Sequence, residues 1–207
     1  MVQILNMETD TLIRRMEAAV EIVENRLKRA TNALAAGGVD YAVIGGNAVR
    51  AWVAKVNADA VRNTRDVDLL LRRGDLDAAI QAMSVAGFTY RKSRGVMMFL
   101  DGPDSTASAA VHILFSGEKV RPTDIFPTPE VTEYEPSQHF RLIKLKALVQ
   151  MKLTAFRLKD QMHLIDLFNI ALIDETWIDQ FEGEAADRLR GVIAQAKSER
   201  WPETGDD

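Results

Sequence analysis

The stretches that decide the fold read Tyr41-Ala-Val-Ile-Gly-Gly-Asn47 and Arg62-Asn-Thr-Arg-Asp-Val-Asp-Leu-Leu-Leu71. In the first, a short β-rich run ends in two glycines, Gly45 and Gly46, and a helix is predicted over 47–55. Glycines let the backbone approach a ligand closely, and the free N–H groups of a helix start suit a phosphate. Turns of this kind also occur for purely structural reasons, so the first stretch alone leaves both interpretations open.

The second stretch places two carboxylates at the start of an apolar strand. Residues two apart on a strand point to the same side, so Asp66 and Asp68 share a face. Solvated acids on an exposed strand edge are the alternative, but the apolar run Leu69–Leu71 follows at once. Carboxylates entering a buried strand are costly unless something binds them, and hard cations prefer oxygen ligands. The pattern therefore predicts a site for Mg²⁺, with Mn²⁺ as an alternative ion.

Taken together, residues 41–71 resemble the nucleotidyltransferase superfamily of the DNA-polymerase-beta type. The resemblance implies that Gly45, Gly46 and Asn47 hold the triphosphate of a nucleoside triphosphate (NTP) substrate. It also implies that Asp66 and Asp68 bind metal and are catalytic, and that Arg62 and Thr64 belong to the nucleotide site.

The C-terminal part resembles a narrower group, the AbiEii-type toxin nucleotidyltransferases. Residues 144–167 contain Lys152, Arg157, Asp160 and Asp166-Leu167, in the manner of that group's third and fourth motifs. The likeness implies that Lys152 neutralises the triphosphate and that Asp166 orients Lys152 or the base. Basic residues cluster from Arg141 to Lys159, which indicates either a solvated helix face or a wall facing phosphate or RNA.

One position departs from the superfamily pattern. Many members carry a third acid on a later strand, where this chain has His112 in Val111-His-Ile-Leu114. A neutral imidazole binds Mg²⁺ poorly, so either His112 takes another role, the two acids are enough, or catalysis has been lost. The other role is that of a general base, a structural residue or a replacement for a lost metal ligand. Asp101 and Asp104, in a turn, are candidates for supplying a missing acid.

The remaining pattern predicts an α/β (α+β) fold with a mixed sheet and flanking helices. An amphipathic helix capped by Thr9 or Asp10 ends at Gly37-Gly38 and packs on the core. The predicted ranges are the N-terminal helix (1–38), the nucleotidyltransferase-like core (39–130), a C-terminal helical region (131–200) and a polar tail (201–207). Within them we expect a helix over 76–86, strands at 88–91, 96–100 and 111–115, helical structure over 137–173, and a last helix over 185–198.

Composition narrows the function classes. The 207 residues include three histidines and no cysteine, and the absence of cysteine excludes thiolate chemistry. The net charge of −4 gives no general signal for nucleic-acid binding. The first ten residues lack a secretory pattern, and no apolar run approaches the roughly 20 residues that span a bilayer. We therefore expect a cytoplasmic protein with no membrane partner.

These observations predict an enzyme that moves a nucleoside monophosphate from NTP to an acceptor, with pyrophosphate leaving. The acceptor is tRNA or another RNA, a protein or a small molecule, and the AbiEii likeness adds a toxin–antitoxin or abortive-infection role with a cognate antitoxin. The alternative is a catalytically inactive member that binds a nucleotide or a protein partner. An Asp-x-Asp phosphatase fits less well, because that fold places its paired acids on the first strand.

Overall fold

The computed structural model describes residues 2–102, 105–106, 109–137 and 139–199, with side chains from residue 10 onward. Within these residues the helices are α1 (Val2–Ala36), α2 (Gly45–Ala54), α3 (Leu76–Val85), α4 (Leu145–Ala155), α5 (Leu158–Asn169) and α6 (Gly183–Glu199). The strands are β1 (Tyr41–Ile44), β2 (Val67–Leu71), β3 (Phe88–Ser93), β4 (Val96–Asp101), β5 (Ala110–Phe115), β6 (Tyr134–Pro136) and β7 (Arg141–Ile143).

The strands form one mixed sheet in the order β3-β4-β5-β2-β1-β7-β6. The central strand β2 runs parallel to β5 and antiparallel to β1, while β7 runs parallel to β1. The register pairs Asp68 with Ile44 on one side and with His112 on the other. The expected mixed sheet with flanking helices is confirmed, and Asp68 lies on its central strand between β1 and β5.

Each face of the sheet has its own core, as the alternation of side chains along β2 requires. Val67, Leu69 and Leu71 pack towards α1 and α3, whereas Leu70 packs with α2, α4, α5 and α6. Asp68 lies on the same face as Leu70. The sheet therefore presents the carboxylate to the cleft between α2 and the C-terminal helices.

Three expectations from the sequence need correction. Helix α1 begins at Val2, not at a cap formed by Thr9 or Asp10, because helix-forming residues extend the pattern towards the N-terminus. Gly45 and Gly46 belong to the first turn of α2, so this helix begins two residues before its predicted start at Asn47. The segment 137–173 is not continuously helical, since β7 precedes α4 and a break separates α4 from α5.

The other predicted elements agree with the structure to within two residues, including the hairpin β3–β4 and the last helix. The range 131–200 contributes β6 and β7 to the sheet in addition to its helices, and its division from 39–130 stays a prediction. Residues 201–207 lie outside the described residues. Among the described helices, none is both long enough and apolar enough to cross a membrane.

Candidate active site

A cavity of about 660 Å³ opens at the start of β2, which is within the usual size range of small-molecule sites. Its floor is the glycine turn and the strands β2 and β5, one wall is α4 and α5, and the other is the connector after β5. The lining includes Gly45, Gly46, Thr64, Arg65, Asp66, Asp68, His112, Arg121, Asp124, Phe126, Lys152, Arg157, Lys159, Asp160 and His163. Paired carboxylates, a helix start and several cations therefore face one space.

Both predicted carboxylates line this cavity, and they differ in exposure to solvent. Asp66 immediately precedes β2 and its side chain is 40% exposed, whereas that of Asp68 is 26% exposed. Burial raises the pKa of Asp68; the Asp66 charge adds to this rise, while His112 and two lysines oppose it. A carboxylate whose charge is this costly gains from a bound cation.

The glycine turn is built against Asp68. Gly45 has a φ of +66°, and a Cβ at this position would overlap the Asp68 carboxylate. A Cβ on Gly46 would lie 2.6 Å from Thr64 Oγ1. The glycines are therefore needed for close packing of the β2 loop against α2, independently of any ligand. No side chain caps the N-terminus of α2, so its first N–H groups remain available to an anion.

Asn47 and Arg62, two of the expected nucleotide contacts, both form contacts that hold the loop before β2, and their contact with nucleotide stays a prediction. The Asn47 side chain is buried and donates a 2.7 Å hydrogen bond to the Asp66 carbonyl oxygen. Arg62 forms a 3.0 Å ion pair with Asp166 of α5. Neither residue lines the cavity, whereas Thr64 does.

Lys152 reaches the cavity from the end of α4, as expected, but its partner is Asp160 and not Asp166. The Nζ atom lies 3.0 Å from Asp160 Oδ1, and both residues are buried. Asp166 lies almost two turns further along α5, where it pairs with Arg62. The sequence did place an acid close to these cations, because Asp160 directly follows Lys159, the last member of the basic cluster.

The break between α4 and α5 creates this pair. Phe156 adopts the left-handed conformation, with φ +46°, and turns the chain so that the start of α5 faces the end of α4. Arg157 then donates from Nε to Asp160 Oδ2 at 2.8 Å. Burial raises the pKa of Asp160, but hydrogen bonds from Arg157 and Lys152 outweigh it and hold the pKa below its usual value. Burial in turn lowers the pKa of Lys152.

His112 occupies the position expected for a third acid. It stands beside Asp68 on β5, with Nδ1 3.8 Å from Asp68 Oδ1. Asp101 does not compensate, since it points to the opposite face of the sheet and pairs with Arg26 and Arg29 of α1. Asp104 lies outside the described residues. Among the residues that the structure describes, no three histidine, aspartate or glutamate side chains gather as a metal site.

His163, which the sequence analysis did not single out, also faces the cavity. It follows Asp160 by one turn of α5, and within the described part of the chain its Nδ1 atom is buried without a hydrogen-bond partner. Burial and the nearby Lys152 charge lower the His163 pKa to about 4. The imidazole is therefore neutral at physiological pH.

The donor set at Asp66 and Asp68 fits one kind of metal. Two carboxylates supply hard oxygen ligands, and Mg²⁺ is commonly held by one or two carboxylates together with water and substrate phosphates. Phosphate oxygens of a nucleotide can replace some of the water molecules around the ion. The arrangement therefore fits Mg²⁺ that arrives with a phosphate ligand.

Comparison with known proteins supports the fold. A nucleotidyltransferase-like antigenic protein from Paracoccidioides brasiliensis is 15% identical, with a TM-score of 0.50 over 87% of this chain and 89% of that chain. Two structures of the antibiotic-resistance factor ANT(2'')-Ia are also similar. The solution structure is 11% identical, with a TM-score of 0.48 over 88% of this chain and 92% of that chain.

The second, a complex with adenylyl-2''-tobramycin, is 12% identical, with a TM-score of 0.43 over 86% of this chain and 97% of that chain. No family model and no curated protein matches the sequence. At these identities the likeness to the P. brasiliensis protein establishes a nucleotidyltransferase-like fold.

Proposed function

We propose that this protein is a nucleotidyltransferase that moves a nucleoside monophosphate from NTP to an acceptor. The observation that carries the proposal is the meeting of Asp66 and Asp68 with the uncapped start of α2 in one cavity, on a nucleotidyltransferase-like fold. In the reaction an acceptor nucleophile bonds to the α-phosphorus, the bond to the β-phosphate oxygen breaks, and pyrophosphate leaves.

Several residues in and beside the cavity then have definite tasks. Asp66 and Asp68 hold Mg²⁺ or Mn²⁺, which when bound stabilises negative charge on the reacting phosphate. The N–H groups at the start of α2 donate to phosphate oxygens. Lys152, fixed by Asp160, places a positive charge opposite the triphosphate. Asn47 and the Arg62–Asp166 pair hold the loop that carries Asp66.

The test is incubation with each labelled NTP, Mg²⁺ or Mn²⁺, and either total RNA, a protein lysate or a panel of small alcohols and aminoglycosides. We expect label in one acceptor class, which identifies the substrate among RNA, protein and small molecule. Co-expression with neighbouring genes tests the toxin–antitoxin role, since a cognate antitoxin would relieve growth inhibition. Absence of labelled product in every mixture would contradict the proposal.

Asp68→Asn is the variant that tests whether Asp68 holds the metal. We expect it to lower the transfer rate by at least about 100-fold, because it removes a metal-ligand charge. Since burial raises the pKa of Asp68, removing the charge should also raise the unfolding free energy. Activity is measured by label transfer and stability by urea denaturation. Near-normal turnover in this variant would show that Asp68 does not hold the metal.

His112 favours a second candidate function, nucleotide binding without turnover. The position beside Asp68 lacks a third carboxylate, and Asp101 faces away from it. A protein of this kind would bind NTP with Mg²⁺ in calorimetry and leave all acceptors unlabelled. His112→Asp would then add an oxygen ligand, and newly gained transfer in that variant would favour this second function.

A further inference from the structure

Two lysines reach the cavity, and they are held in different ways. Lys152 is buried, and its Nζ atom lies 3.0 Å from a buried Asp160 oxygen. Lys159, on the first turn of α5, is 55% exposed, and its Nζ atom lies 3.8 Å from Asp66 Oδ2. A buried, hydrogen-bonded pair is costly to separate, whereas a loose exposed pair opens easily. Lys152 is therefore fixed in place, and Lys159 can move.

The loop that carries Asp66 does not depend on Lys159. The Asp66 carbonyl accepts a hydrogen bond from buried Asn47, and Arg62 ties the loop to Asp166 at 3.0 Å. Departure of Lys159 would therefore leave the Asp66 carboxylate in place without its ammonium partner. Both ends of the Lys159–Asp66 pair line the cavity, so an incoming ligand meets them together.

A metal ion and a lysine compete for the same carboxylate. A free divalent cation would have to displace the Lys159 ammonium from Asp66 and leave it beside another cation. A metal–triphosphate complex brings its own anion, on which a flexible lysine side chain can settle. Asp66 and Asp68 supply only two ligands, so phosphate oxygens can replace water as further ligands of the ion.

We propose that Lys159 is an exchangeable counter-ion of Asp66, which transfers from this carboxylate to the phosphates when a metal–nucleotide complex enters. The inference rests on the proposed function and adds to it a dependence of metal binding on nucleotide. Lys159 thereby disfavours loading by the free metal ion and favours loading by the complex.

The experiment is calorimetry with MnCl₂ alone, and with MnCl₂ plus each of the four α,β-methylene nucleoside triphosphates. Wild type is compared with Lys159→Met, with Lys159→Arg, and with the control Lys92→Met on the edge strand β3. In Lys159→Met we expect the affinity for Mn²⁺ alone to rise by about two- to fivefold, because a competing exposed pair is removed. The affinity for the complex should fall by about fivefold or more, because a charge-assisted contact is lost.

Opposite signs in the two titrations, near-normal behaviour of Lys159→Arg and an unchanged Lys92→Met support the exchange. Changes of the same sign, or no change, in a Lys159→Met protein of normal melting temperature overturn it. If wild type binds the complex and Lys159→Met does not differ, the exchange is wrong while nucleotide binding stands. If wild type binds no triphosphate with Mn²⁺, the proposed function fails and the exchange fails with it.

Discussion

At the scale of single residues, the charge of His163 depends on its position between two ion pairs. On α5 it is flanked by Lys159, which pairs with Asp66, and by Asp166, which pairs with Arg62. Burial and the surrounding cations keep its pKa at about 4, against 6.5 in an unfolded chain. A neutral ring is thus maintained close to the cations Lys152, Lys159 and Arg62.

This environment predicts a pH dependence of stability. Between pH 6.5 and pH 4 the unfolded chain binds a proton at His163 that the folded protein does not bind, so stability falls as the pH falls. Relative to His163→Gln, wild type should lose about 2 kcal/mol of unfolding free energy between pH 7 and pH 4, after allowance for its partial exposure. Urea denaturation at stepped pH measures the difference between the two proteins.

The control is His139→Gln, a change at an exposed histidine in the turn before β7. Its pH profile should follow wild type. Equal slopes for wild type and His163→Gln would contradict the low pKa of His163.

Single residues also mark what the sequence could not settle. Asp66 and Asp68 were identifiable because alternation on a strand follows from local geometry. The choice of Asp160 over Asp166 as the partner of Lys152 was not, because both lie on α5 and only the turn at Phe156 decides which one faces α4. Asn47 was expected at the phosphate, whereas the amide contact to the Asp66 carbonyl arises from the packing of α2.

At the scale of elements, the junction of α4 and α5 contains an ion pair, Lys152–Asp160, whose two members differ in how much they depend on each other. Asp160 accepts hydrogen bonds from Lys152 and Arg157, while Lys152 has Asp160 as its close acid and pays the cost of burial. Loss of the acid leaves a buried cation, whereas loss of the lysine leaves an acid that still has Arg157.

We therefore expect Asp160→Ala to lower the unfolding free energy by about 3 kcal/mol, and Lys152→Met to change it by less than about 1 kcal/mol. Both substitutions should abolish transfer. Urea denaturation measures stability, and label transfer measures activity. Asp179→Ala, at an exposed aspartate, is the control for the loss of a carboxylate. Equal destabilisation by the two variants would show that the pair is symmetric.

The two strands that the sequence did not predict, β6 and β7, share one cause. Strands β6 and β7 have three residues each, too short to show a clear alternation; β7 exists because the edge of β1 offers it hydrogen bonds, and β6 in turn pairs with β7. The longer periodic elements, such as α6 and the hairpin β3–β4, need no such partner to be recognised. Short edge strands depend on tertiary context, which a single sequence does not contain.

At the scale of the whole molecule, α1 has a packed C-terminal half, whereas residues 10–19 before it are exposed. The apolar stripe is buried at Val23, Leu27, Ala30 and Leu34, whereas Leu12 and Met16 on the same stripe are 59% and 63% exposed. Among the side chains described from residue 10 onward, those that α1 contributes to the core on the α3 side of the sheet lie in its C-terminal half.

Leu34→Ala should accordingly lower the unfolding free energy by about 2–5 kcal/mol, the cost of a cavity at a fully buried leucine. Met16→Ala should change it by less than about 0.5 kcal/mol. Urea denaturation of the two variants, at a single protein concentration, makes the comparison. A large loss in Met16→Ala would mean that the outer half of α1 is buried in solution.

The left-handed turn at Phe156 fixes where α5 begins, and this limits where residues can be inserted into or deleted from the chain. An inserted residue early in α5 would rotate everything after it by 100° about the helix axis, and carry His163 and Asp166 away from the β2 loop. The connector 116–133 has no helix or strand whose orientation would be altered in this way. Homologous chains should therefore gain and lose residues in the connector, and keep the spacing from Lys152 to Asp166 constant.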